Sequence, residues 1–277
     1  MSRLTDVHHH SIVTDDHEAR MKNGEVSVNT TANELVRDLE QIFTRIEVID
    51  LSAVLEEGAP IWPTHPPLII HRTVTHERHG YFTNLIFMPE HVGTHCDAPA
   101  HASPAMMDET IDRYPVDQMM GPACVMDVSA RNLEAGDMLT AGDIVDWEAE
   151  HGEIQSGDIV LINFGWFARH WRTDEQAQYY VNNQPGLDES AVKLLYERGV
   201  KALGSDNTNV ETPIKDGVAL NPGYAHTRYF LPNKVPLIES LANLEQLPAR
   251  CYFIALPLKI KGGSGSPIRP VALVPRP

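Results

Sequence analysis

The run His91-Val-Gly-Thr-His95-Cys-Asp97-Ala-Pro-Ala-His101 places three imidazoles and a carboxylate within eleven residues, around Gly93 and Pro99. Neutral imidazole nitrogens and carboxylate oxygens are ligands that borderline divalent ions such as Zn²⁺ and Mn²⁺ accept, and three protein ligands leave a position open for water. A straight strand would carry residues six apart to roughly 20 Å, at about 3.3 Å per residue, too far for His91 and Asp97 to share an ion. The segment must therefore curl. A turn of helix brings His91 and His95 together at i, i+4, and Gly93 permits unusual backbone angles or close approach. Pro99 turns Ala98 away from helix, which can swing His101 to the other side of the ion. The expectation is a strand ending near Glu90, then a tight, partly helical ligand loop. Cys96 is read as a small buried residue, because its neighbours already supply ligands and adjacent side chains point apart.

The elements that must position this segment follow from apolar patterning. Runs rich in β-branched residues at 46–51, 68–74, 82–88, 123–128, 159–163, 252–258 and 271–274 read as strands. Helices are expected at 140–151, where Thr140 and Asp143 fit a capping box, and at 188–199, where Ala191, Leu194 and Leu195 form an apolar face and Gly199 a stop. Thr30 or Thr31 can cap an N-terminal amphipathic helix, 29–45, with Leu35, Leu39, Ile42 and Phe43 on one face. Residues 1–28, with the tract His8-His9-His10, read as a mobile terminal segment without function. The division is a terminal segment 1–28, a helix 29–45 and one α/β domain, 46–277, of mixed and not regularly alternating order.

Composition narrows the class. A chain of 277 residues that is 42% hydrophobic and 22% charged is globular. No apolar run reaches the roughly eighteen residues of a membrane span, and the polar start lacks a signal-peptide core, so a cytoplasmic address is expected. Three scattered cysteines form no disulfide framework. A formal charge of −16 opposes binding to phosphate backbones, so nucleic acid is not an expected partner. Gly262-Gly263-Ser264-Gly265 lacks the G-K-[ST] of a phosphate cradle, and Ser266 stands where a nucleophile elbow needs glycine. It reads as a flexible loop near the pocket.

The segment from His91 to His101 matches, in seven defined positions without a gap, the pattern H-x-G-T-H-x-D-x-P-x-H. In this the chain resembles the cyclase family of metal-dependent hydrolases, which includes bacterial kynurenine formamidase, isatin hydrolase and a trans-dienelactone hydrolase. Ile61-Trp62-Pro63, the polar loop Gly204-Ser-Asp206-Asn-Thr208, His226, Glu239 and Ala255-Leu-Pro-Leu-Lys259 follow in the order of that family. The resemblance covers roughly 46–274. It implies a mixed-sheet swivelling β/α/β fold of the kynurenine formamidase type, assembled as a homodimer or homotetramer, with one or two divalent ions per subunit. It further implies a first ion on His91, His95 and Asp97, a second on Asp97, His226 and Glu239, and His101 as acid/base. Trp62 is implied as the pocket wall for a planar substrate.

The chemistry implied is hydrolysis of an amide or lactone, small and cyclic or aryl-linked, and foremost of a C–N bond other than a peptide bond, by metal-activated water. The ion lowers the pKa of water from about 15.7 toward 7. His101, with Glu239 sharing the task, moves a proton to the leaving atom, help worth roughly 10²- to 10⁴-fold. Lactone opening and ring closure with dehydration are alternatives within catalysis. A module that binds a small anion through its metal is the alternative outside it.

Overall fold

The structure, a computed structural model, describes residues 31–276. The expected terminal segment 1–28 and its histidine tract lie outside the described residues. Contacts divide the chain after Ile46. Before that point lies the helix Ala32–Phe43, capped by Thr31: the threonine side chain accepts from the Glu34 N–H, and the Glu34 carboxylate accepts from the Thr31 N–H. That reciprocal pair fixes the helix start within the predicted 29–45.

The second unit is built on a sheet whose nine strands among the described residues are β1 (Ile46–Asp50), β2 (His95–Asp97), β3 (Met120–Asp127), β4 (Ile159–Asn163), β5 (Ala202–Ser205), β6 (Leu237–Glu239), β7 (Arg250–Ile254), β8 (Gly265–Pro267) and β9 (Val271–Pro275). Their spatial order is β1-β9-β7-β3-β4-β5-β6-β2-β8. The central four, β3 to β6, run parallel. Antiparallel strands flank them, β7 and β9 on one side and β2 and β8 on the other. Parallel neighbours need crossovers, and the helices Ala141–His151 and Glu189–Glu197 supply two of them. Thr140 and Asp143 form the predicted capping box, and Asp188 caps the second helix by accepting from the Ala191 N–H. The expected mixed α/β class is the observed one.

The central strands bury both faces, which is why they read as continuous apolar runs. Cys124, Met126, Val160, Ile162 and Leu203 face the two crossover helices, packing with Ile144, Trp147 and Leu195. Ala123, Val125, Ile159, Leu161 and Ala202 face the other way, against Ile238 and Phe253. The strand predicted at 252–258 is observed two residues earlier and ends at Ile254. Pro257 lacks a ladder donor, and Leu256 and Leu258 are exposed. Strands β2, β5, β6 and β8 were not expected, and two of these, β2 and β6, carry residues of the site described next. The predicted strands 68–74 and 82–88 pair with each other as a separate ribbon, Ile69–Val74 with Thr83–Phe87.

Candidate metal centre

The segment from His91 to His101 curls, but not by the helical turn that the i, i+4 spacing suggested. Residues 90–94 bend without helix, Gly93 takes φ +59°, and His95 already lies in β2. The bend before the strand returns His91 to Asp97, with Nδ1 2.8 Å from Oδ1. Ala98 is extended, as Pro99 requires, and the turn Pro99–His101 brings the His101 ring to 3.9 Å from the His91 ring centre.

Register explains the rest. β6 pairs antiparallel with β2 so that Glu239 stands opposite His95 and Ile238 opposite Cys96. Side chains alternate across a strand, so His95, Asp97 and Glu239 share the cleft face while Cys96 and Ile238 enter the apolar cluster behind it. Cys96 is fully buried there, and burial pushes its thiol pKa up, as suits a packing residue and not a ligand. His226 enters from the π-helical turn Ala225–Tyr229.

The imidazoles are held in defined orientations. The His95 Nδ1–H donates to the Gly93 carbonyl at 2.9 Å, and the His226 Nδ1–H donates to the fully buried Glu211 carboxylate at 3.0 Å. This turns bare Nε2 atoms toward carboxylate oxygens. His95 Nε2 lies 3.5 Å from Asp97 Oδ1 and 3.3 Å from Glu239 Oε2; His226 Nε2 lies 3.3 Å from both Asp97 Oδ2 and Glu239 Oε1. Lone pairs converging at such distances need a proton or a cation between them, since each is an acceptor. Two triplets, His95–Asp97–Glu239 and His91–Asp97–His101, each present ligand atoms within 4.8 Å of one another. The donor set therefore fits a divalent ion, and His101 comes within ligand reach.

Without an ion, protons can fill this role, and the electrostatics of the site favours them. Burial alone would lower the His95 pKa, but Glu239, Asp97 and the Gly93 carbonyl outweigh it and lift the value to about 9. Burial likewise opposes the charge on His226, yet Glu211, Asp97 and Glu239 raise it. Burial alone would raise the Asp97 carboxyl, but His91 and His226 hold it well below the usual carboxylate range. A metal must displace these protons. Ion uptake at pH 7.5 is thus expected to release more than about one proton per chain, with affinity weakening as pH falls below 9 and His95 becomes protonated. Calorimetry in two buffers of different ionisation heat measures this; identical apparent heats would contradict it.

The cluster lies at the base of a cleft of about 260 Å³, lined also by Pro60, Trp62, His65, Thr208 and Asn209. Trp62, implied by the resemblance as a wall for a planar substrate, lines this cleft. His65 was missed: its ring centre is 5.8 Å from that of His91, and its place in Trp62-Pro-Thr-His65 was the available signal. Glu211 was also missed, and no spacing rule points to it.

The Cyclase family model matches residues 49–212, which spans the ligand segment and Glu211. The chain belongs to the cyclase family. An isatin hydrolase from Roseibium aggregatum is 34% identical over 248 residues, covering 83% of this chain and 93% of that protein. A kynurenine formamidase from Salinibacter ruber is 27% identical, covering 81% and 96%. The crystal structure of an isatin hydrolase bound to the product analogue thioisatinate superposes with a TM-score of 0.79 at 30% identity, covering 89% of this chain and all of that one. This cyclase-family chain thus shares its fold with enzymes named for amide hydrolysis. Among its described residues no helix is long and apolar enough to cross a membrane.

Proposed function

We propose that this chain is a metal-dependent amidohydrolase that opens a small planar amide, cyclic or aryl-linked, of the isatin or N-formylkynurenine kind. The observation that carries this reading is the convergence of the His95 and His226 Nε2 atoms on Asp97 and Glu239 at the base of a cleft walled by Trp62. A divalent ion held there, Zn²⁺ or Mn²⁺, supplies the acidity that makes water nucleophilic near pH 7. His91, His95 and Asp97 would hold a first ion, and His226 and Glu239, with Asp97, a second. In support of two ions, Asp97 turns Oδ1 toward His91 and His95 and Oδ2 toward His226. Glu239 divides its two oxygens between His95 and His226, which favours a ligand role over proton transfer.

His101 stands beside His91 at the exposed side of the cluster. Partial desolvation at this edge, with the neighbouring His91 and His226, lowers its pKa, so at neutral pH it is uncharged and ready to take a proton from water. It then returns that proton to the leaving nitrogen. Trp62 offers a flat apolar face on which an aromatic substrate stacks. The test is a panel of N-formyl aryl amines, isatins and unsaturated lactones, with metal-loaded and chelated protein. Turnover of an amide, lost on chelation, is expected. Turnover of lactones alone would replace this reading with lactone hydrolysis, and binding without product would reduce the chain to an anion-binding module.

A further inference from the structure

We propose that Ser264 and Glu90 form a positioning pair that fixes the tautomer of His91 and thereby sets how tightly the site holds its ion; this rests on the reading of His91 as a metal ligand. Ser264 lies in the glycine-rich loop that leads into β8, and that loop is tied to the ligand segment. The Ala98 N–H donates to the Ser264 carbonyl at 2.9 Å, and the Ile111 N–H donates to the Gly263 carbonyl at 2.9 Å.

The direction of each hydrogen bond follows from what the atoms can do. Glu90 Oε2 accepts from both the Ser264 N–H, at 2.9 Å, and the Ser264 hydroxyl, at 2.7 Å. With its one proton committed to Glu90, Ser264 Oγ meets His91 Nε2, 2.9 Å away, as an acceptor. His91 therefore carries its proton on Nε2. Its other nitrogen, Nδ1, stands 2.8 Å from Asp97 Oδ1 and is the one left for an ion to take. The opposite tautomer would set the Nε2 lone pair against a hydroxyl oxygen whose hydrogen points elsewhere.

The glycines on both sides make this approach feasible. A Cβ at Gly265 would fall 2.5 Å from His91 Cε1, and one at Gly263 would fall 2.7 Å from Glu90 Oε1. The Gly-Gly-Ser-Gly loop is thus shaped to bring one hydroxyl edge-on to one imidazole. His91 thereby joins His95 and His226, whose remaining ring nitrogens are engaged by Gly93 and Glu211. Partners of this kind fix ring orientation and raise ligand basicity, and their loss costs about 10- to 100-fold in metal affinity.

The experiment titrates the metal-free full chain with Co²⁺, reading its visible absorption and competition with a chelating dye, beside the melting temperature of the metal-free protein. Ser264→Ala and Glu90→Leu are each expected to weaken Co²⁺ binding by about 10- to 100-fold. The double variant should be no weaker than the weaker single one, because both interrupt the same chain of bonds. Ser264→Thr, which keeps the hydroxyl, should recover wild-type affinity. Glu90→Leu reads the same interaction where the serine variant folds poorly. Variants that bind Co²⁺ as tightly as wild type would overturn the inference alone, as would a loss in Ser264→Ala that Glu90→Leu does not share. A wild-type chain that binds no Co²⁺ would overturn it together with the metal reading beneath it.

Discussion

His95→Ala is expected to lose its ion and, with it, hydrolysis by on the order of 10⁴-fold or more, since water at pH 7 then keeps its ordinary acidity. His95 is the residue to remove because it faces both carboxylates, Asp97 and Glu239, within 3.5 Å. Without its imidazole these buried groups oppose each other with less compensation, and a buried charge deprived of its partner destabilises strongly. The metal-free variant should therefore also melt below the metal-free wild type. Elemental analysis of the purified protein, alongside amide turnover, measures both losses. Full activity in ion-free His95→Ala protein would end the mechanism proposed above.

His101→Ala should separate binding from chemistry. Its ring touches His91, but the remaining donors of the cluster stay in place, so the variant is expected to keep its metal while kcat falls about 10²- to 10⁴-fold. The pH profile provides the sharper reading. Because burial lowers the His101 pKa beneath the usual 6.5, wild-type activity should fall as pH drops through that lowered value, where the imidazole gains the proton it must be free to accept. The variant should lack this acidic limb. Equal metal loss in His101→Ala and His95→Ala would instead make His101 a ligand, in keeping with its place in the His91–Asp97–His101 triplet.

The parts of the molecule legible in the sequence are those governed by local physics. Helix starts at Thr31, Thr140 and Asp188 follow from side chains that cap their own neighbours. The strand Ile159–Asn163 was readable because both its faces are buried, leaving an unbroken apolar run. His91, His95, Asp97 and His101 were readable by type and spacing, although the curl that joins them was assigned to helix when Gly93 supplies it as a bend. His226 and Glu239 were visible only through family resemblance, since each alone looks like a surface residue. The three-residue strands β2 and β6 were hidden because their polar residues interrupt the apolar pattern by which strands are recognised. Glu90 and Ser264 are separated by 174 positions, and only the folded chain brings them into contact.

The pairing of β2 with β6 has a consequence for how such a site can change. Neighbouring positions along these two short strands answer to different demands: Cys96 and Ile238 must satisfy a dry interior, whereas His95, Asp97 and Glu239 line the cleft and face one another. A donor can thus be exchanged for another without repacking the interior, so the scaffold is free to explore new ions and reactions by point substitution. A single residue inserted within Leu237–Glu239 has no such freedom. It would rotate the carboxylate into hydrocarbon and an isoleucine into the reaction chamber, and lose both functions in one step.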